Sequence, residues 1–197
     1  MCYSNDIALK ELLHEIAKEN QQAFRHLFHL FYPKLVEFSN SIIKNREASF
    51  ELVDDIFVKI WQRRASITDI QNITVYLYQA TKNSCINFLK KKHIEIASNP
   101  LEFADINLSD SFLPDTILIN KELAAFLHQT VNNLSPKCKI VFKLVKEDNL
   151  TYKEVADIMN VSVKTVDSHL FTAVKTIREA IANYKPIHFF EKKTKKV

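Results

Sequence analysis

The 197-residue chain contains no glycine. Glycine lets a backbone approach phosphate closely, so P-loops and dinucleotide fingerprints are excluded. Two-residue hairpins lose their favoured Asn-Gly and Asp-Gly turns, which argues against a β-rich fold. A helical protein tolerates the lack best, because asparagine can take the left-handed positions at helix ends. Cysteine is scarce as well. Cys2, Cys85 and Cys138 are odd in number and match no metal-knuckle spacing. They read as reduced thiols of a cytoplasmic protein. No apolar run nears the length of a membrane span. The opening MCYSNDIALKELLHEI lacks the basic head and apolar block of a signal peptide. No membrane insertion is expected. The histidines show no ligand-like spacing, and no nucleophile–base pair or carboxylate constellation suggests catalysis. Neither a cofactor, nor a metal, nor an enzymatic activity is therefore expected. The net charge is only +4, so a nucleic-acid partner must be argued from where the charges sit.

What is present is helical periodicity. Ile7, Leu9, Leu12, Leu13 and Ile16 repeat at helical spacing over residues 5–19. Phe24, Leu27, Phe28, Phe31, Leu35, Phe38 and Ile42 do so over 21–44, with Pro33 predicting a bend or break. Residues 48–63 place Leu52, Val53, Ile56, Phe57, Ile60 and Trp61 on one stripe. Residues 73–92 carry Val75, Leu77, Tyr78, Ala80, Ile86 and Leu89, ending in Lys90, Lys91 and Lys92. From 94 to 120 there is no lysine or arginine, and Glu95, Glu102, Asp105, Asp110 and Asp115 make the stretch acidic. Punctuated by Pro100 and Pro114 and lacking periodicity, it reads as a flexible linker. Helical pattern resumes at 121–132, then after Ser135-Pro136 through Ile140, Val141, Leu144 and Val145, with Ser135 as cap. The expectation is an all-α protein of two small helical domains, 1–93 and 121–184. The linker 94–120 joins them, and a basic tail 185–197 follows.

The second domain ends in a helix-turn-helix pattern. Thr151 and Glu154 fit a capping box, and Val155, Ala156, Ile158 and Met159 supply an inward face. Asn160-Val161-Ser162 is a short turn. Asn160 suits the left-handed position and Ser162 caps the next helix. That helix starts at Val163, with Val166, Leu170, Val174 and Ile177 as its buried stripe. Ala156 is the small residue that two steeply crossing helices need. Ser162, Lys164, Thr165, Ser168, His169, Thr172 and Lys175 offer donors and cations for base edges and phosphates. Asp167 opposes this, because an acid repels phosphate.

Four segments, in order, resemble the extracytoplasmic-function group of the sigma-70 family. NLSPKCKIVFKLVKEDNLTYKEVADIMNVSVKTVDSHLFTAVKTIREAI is similar to region 4, and ASFELVDDIFVKIWQRRASI to region 2.2. NITVYLYQATKNSCINFLKKKHI is similar to regions 2.3 and 2.4, and AFRHLFHLFYPKLVEFSNSII to region 2.1. The resemblance implies a promoter-specificity subunit, with core RNA polymerase (its β′ and β subunits), promoter DNA and an anti-sigma factor as partners. By position, Leu52, Asp54, Asp55, Phe57, Ile60 and Trp61 fall on the polymerase-binding helix, with plain core packing as the alternative for Phe57 and Trp61. Asp54 stands where the family often has glutamine. Tyr76, Tyr78, Lys82, Asn83, Lys90, Lys91 and Lys92 fall where the −10 strand is bound, on aromatic surfaces and a cationic track. Of the two tyrosines, two residues apart, only one is expected to face DNA. The linker is implied to pass through basic polymerase channels, although a plain tether has the same composition. Two other classes fit less well. One is a two-domain helix-turn-helix transcription regulator with a helical sensor domain, acting without being a polymerase subunit; TVDSHLFTAVKTI is similar to the helix of response-regulator DNA-binding domains, but no alternating strands of their receiver precede it. A helical adaptor binding only protein leaves the lysine run and the polar helix face unexplained.

Overall fold

The computed structural model describes residues 2–91 and 121–184, so the expected linker, Lys92 and the basic tail lie outside the described residues. Among the described residues there are eight α-helices and no strand. They are α1 (Cys2–Ala17), α2 (Gln21–Ile43), α3 (Arg46–Gln62), α4 (Ile73–Lys91), α5 (Lys121–Asn132), α6 (Pro136–Phe142), α7 (Tyr152–Met159) and α8 (Val163–Asn183). The all-α expectation holds.

Helix starts follow from capping chemistry. The Asn20 side chain accepts from the N–H groups of Gln22 and Ala23, and Asn45 accepts from that of Ala48. Helix ends show how a chain without glycine turns. Asn149 and Asn160 take positive φ as expected, but so do Glu19 and Lys44. Each of those two is exposed at a helix boundary, where a single left-handed residue carries only the local cost of Cβ against the following carbonyl.

Two sequence expectations are corrected, and of the bend or break expected at Pro33 the break does not occur. The helix α2 runs unbroken through Pro33. Pro33 and His29, whose carbonyl loses its N–H donor, are both exposed, while Phe31 and Leu35 on the opposite side stay buried. Ser135 makes no side-chain cap bond, although Pro136 does open α6. And α6 stops at Phe142. A π-type turn over Lys143–Glu147 follows, closed by the Asp148 N–H donating to the Lys143 carbonyl at 3.0 Å.

In the first module α2 packs on both α3 and α4, and α1 packs on a 3-10 turn, Arg64–Asp69, that sequence periodicity did not indicate. In the second, α5, α6 and α7 all pack on α8. A further contact joins α4 to α7, so one apolar core runs from Leu13 and Leu27 through Leu77 and Tyr78 to Ile158, Val166 and Leu170. A smaller core of Leu134, Cys138 and Ala173 holds α6 to α8.

Candidate nucleic-acid interface

The helix-turn-helix is built by three local devices. Thr151 Oγ1 accepts from the Glu154 N–H at 3.3 Å, and Glu154 Oε2 accepts from the Thr151 N–H at 2.9 Å. Asn160 ends α7 at φ 56°, ψ 50°, with its N–H on the Ala156 carbonyl. Ser162 Oγ then accepts from the Thr165 N–H at 3.1 Å and starts α8. Val155, Ala156, Ile158 and Met159 are buried on α7, and Val166, Leu170 and Ala173 on α8. Ala156 is 4% exposed, so the helices meet where only a small side chain fits. Val174 and Ile177 are only partly buried, and Ala173 joins the buried stripe although its spacing does not mark it.

Opposite that buried stripe, Lys164, Ser168 and Lys175 are exposed at i, i+4 and i+11, on one line along α8. Lys175 lies 3.8 Å from Glu179 in a pair exposed on both sides, which solvent screens. Phe171, 69% exposed, stands between Ser168 and Lys175 on the same face. Periodicity does not single it out, because an aromatic residue on a helix is usually core. Asp167 is exposed beside it. Four expected contacts are placed differently. Ser162 and Thr165 pair their hydroxyls at 2.8 Å within the cap. Thr172 donates its hydroxyl to the Ser168 carbonyl at 2.9 Å. His169 is half-buried, with Nδ1 3.8 Å from Cys138 Sγ. Burial lowers its pKa, and Lys137 adds to the effect, so the ring is held neutral and turned towards α6.

On α4, Tyr76, Asn83, Lys90 and Lys91 are exposed, at 38% for Tyr76. Tyr78 is fully buried, 5.1 Å from the Phe38 ring, so the expectation that it meets DNA is corrected and Tyr76 is the outward tyrosine. Tyr78 leads instead to Asp148, whose carboxylate pushes the phenol's pKa further up after burial has raised it. Asp148 is itself raised by burial, against the pull of Lys143, whose Nζ lies 3.8 Å from its Oδ1. Lys82 is not free either. Its ammonium donates to the Ile158 carbonyl of α7 at 2.6 Å, and burial lowers its pKa.

The α3 residues divide by face. Asp54 and Asp55 are exposed, Leu52 and Trp61 are half-buried, and Phe57 and Ile60 are 3% exposed. Ile60 is therefore core, which corrects its assignment as a contact. Phe57 is nearly all core, but its edge helps line an apolar hollow of about 400 Å³ with Phe24, Phe28, Asp54, Val58 and Trp61. Phe24 lies 4.9 Å from Trp61, and Phe28 lies 4.9 Å from Phe57. Helical periodicity alone places Phe24 and Phe28 on a core stripe. The signal for them was the matching i, i+4 spacing of Phe57 and Trp61 on the facing helix. Beside the hollow, burial and the Asp54 carboxylate push the Tyr32 phenol up to about 12. Among the described residues no His, Cys, Asp and Glu cluster could hold a metal ion, and no helix is long and apolar enough to cross a membrane.

These features define a helical protein of two packed modules, one of them a DNA-binding helix-turn-helix. Comparisons with known proteins agree. Residues 127–177 match the family Sigma-70, region 4. The chain is 23% identical to the ECF RNA polymerase sigma-E factor of Escherichia coli strain K12, over 91% of this chain and 95% of that one. It is 20% identical to the ECF RNA polymerase sigma factor SigW of Bacillus subtilis, over 89% and 98%. Its fold is similar to CnrH, solved in complex with the cytosolic domain of CnrY (TM-score 0.57, 17% identity, 89% of this chain and 98% of that chain). It is also similar to the sigma factor RpoE of Bartonella quintana, solved with the anti-sigma factor NepR (TM-score 0.56, 18% identity, 82% and 98%). Over residues 127–177 the chain thus matches Sigma-70, region 4, and over most of its length it is similar to ECF RNA polymerase sigma factors.

Proposed function

We propose that this chain joins core RNA polymerase and directs it to promoters by reading −35 and −10 elements. The observation that carries this reading is the doubly capped helix-turn-helix with Lys164, Ser168 and Lys175 in line on the outer face of α8. The N-terminal part of such a helix enters the major groove, where lysine and serine can meet phosphates and base edges. Asp167 on the same helix weakens DNA binding by the module alone, so polymerase supplies the rest of the affinity. The −10 strand is taken by Tyr76, Asn83, Lys90 and Lys91 on α4, with Lys82 joining once released. The aromatic hollow between α2 and α3, with Asp54 and Asp55 at hand, suits a helical partner carrying basic residues. The β′ subunit is that partner in this reading. The acidic segment 94–120 fits channels that are basic because they hold nucleic acid. An anti-sigma factor is a further partner. The similarity to RpoE, solved with NepR, supports it.

The test mixes the purified chain with core polymerase free of any sigma factor and measures promoter-dependent transcription. Initiation at discrete start sites is the expected result. Specific DNA binding by the chain without any gain in initiation would favour a regulator that works apart from polymerase.

A further inference from the structure

Trp61, the chain's one tryptophan, lines two hollows. The first is the hollow of about 400 Å³ already described. The second, of about 380 Å³, lies between Trp61 and the α2 residues Gln21, Phe24, Arg25 and Phe28. The setting of one indole ring therefore shapes both. Phe24 packs against that ring, and the Arg64 guanidinium stands over it, 4.9 Å from Cζ to the ring centre. Arg64 opens the 3-10 turn that follows α3 and is itself held twice. Its Nη1 donates to the Trp61 carbonyl at 3.0 Å, and its Nη2 donates to Glu19 Oε1. The planar fork lets one side chain make these contacts together. Glu19 sits in an unusual place to do this. At the end of α1 the Asn20 N–H donates to the Glu15 carbonyl at 3.1 Å and the Glu19 N–H to the Ile16 carbonyl at 2.9 Å. This is a Schellman turn, whose left-handed residue is usually glycine or asparagine. Here it is Glu19, at φ 67°, whereas Asn149 and Asn160 take the same conformation elsewhere in the chain. The backbone gives no reason for glutamate. The side chain does, because it reaches Arg64, 45 positions away. The pair is 68% exposed at Glu19 and 28% at Arg64, so it adds little to folding stability. Its effect is on geometry.

We propose that Glu19 and Arg64 are positioning residues that set Trp61 before the polymerase helix arrives, so that the docking hollow is already shaped in the free chain. This rests on the promoter-subunit reading and deepens its core-binding site. Neither residue has to touch polymerase. A half-buried indole left to itself divides among about three χ1 rotamers, with about two settings of χ2 for each. Only the setting that lines both hollows can receive the partner, and apparent affinity falls in proportion to its population. Arg64 favours that setting by standing over the ring while bonded to the main chain of the same residue. Glu19 keeps Arg64 from swinging out into water. The glutamate in the α1 turn thus acts on the polymerase site through two side chains.

The test is Glu19→Asn in the full chain. Asparagine suits the left-handed turn better than glutamate, but it is uncharged and one methylene shorter, so it releases Arg64. The melting temperature should hold or rise. Time-resolved fluorescence anisotropy reports on Trp61 alone, because no other tryptophan is present. The unaltered ring should turn only with the whole molecule, and the Glu19→Asn ring should gain a fast local motion. Affinity for core polymerase should fall about three- to sixfold, the dilution expected over the freed rotamers. Glu19→Gln, which keeps the reach and an acceptor, should lie between. In a Trp61→Ala background Glu19→Asn should have no further effect on core binding. An equally rigid ring in Glu19→Asn overturns the proposal, and so does undiminished core binding. A lower melting temperature would make the pair a stability element instead, and an effect on core binding that persists without Trp61 would make Glu19 a direct contact. Either result also overturns it. Failure of the unaltered chain to bind core overturns the promoter-subunit reading and the docking role with it, while the anisotropy still decides whether Glu19 and Arg64 hold the ring.

Discussion

Replacing Thr151 with alanine removes the hydroxyl that accepts from the Glu154 N–H and donates to Glu154 Oε2 at 2.8 Å. The Thr151 N–H keeps its bond to the same carboxylate, so half of the capping box survives. Losing an N-cap hydroxyl costs about 1 kcal/mol, within a range of about 0.5–2. Helices shorter than about 12 residues are marginal without such help, and α7 has eight. For a chain of this size the loss corresponds to a fall in melting temperature of about 2–4 °C. Glu154→Gln keeps an acceptor but removes the negative charge at the helix N-terminus, worth about 0.3–1 kcal/mol. Because one hydroxyl–carboxylate bond is shared, the double variant should cost less than the sum of the two. Denaturant titration followed by circular dichroism measures all three, with Thr151→Ser as the rescue. An unchanged midpoint in Thr151→Ala, or a Thr151→Ser variant as weak as the alanine, would refute the capping argument.

Three further outcomes follow from the geometry. Trp61→Ala should weaken association with core polymerase by about 2 kcal/mol, roughly thirtyfold. Titration with labelled core checks this, and unaltered helicity separates it from misfolding. Lys164→Ala and Ser168→Ala should each lower initiation at promoters sharing one −35 sequence by about 1–3 kcal/mol while leaving core binding intact. Lost core binding would mean that the second module is misassigned. The third concerns His169, whose pKa is lowered in the fold from 6.5, chiefly by burial. The unfolded chain then takes up the proton first, so its stability contribution is present above about pH 7 and is lost as pH falls through 6.5 towards the lower folded value. Stability measured between about pH 7.5 and 5.5 should fall less in His169→Gln than in the unaltered chain. Parallel curves would contradict it.

Much of the fold was legible because helical amphipathicity and capping are local. The spacing of Leu52, Ile56 and Ile60, the Thr151–Glu154 box and the Asn160–Ser162 turn all concern residues within one or two turns of one another. The start of α8 was visible for the same reason. What escaped was non-local or depended on which face of a helix the neighbours cover. Tyr78 and Tyr76 differ by two positions, and only the packing of α2 shows that Phe38 covers Tyr78. The hollow of Phe24, Phe28, Phe57 and Trp61 needs two helices aligned before it exists. The left-handed Glu19 and Lys44 are hidden because neither residue type favours that region. The Lys82 contact with α7 joins residues 76 positions apart, beyond the reach of any periodicity.

The most direct test of the central claim is run-off transcription on fragmented genomic DNA, with core polymerase alone and with core plus this chain, followed by sequencing of the transcript starts. The expected result is a set of start sites that depends on the chain and shares two sequence blocks at a fixed separation, one near −10 and one near −35. Start sites identical with and without the chain, or lacking a shared −35 block, would contradict it.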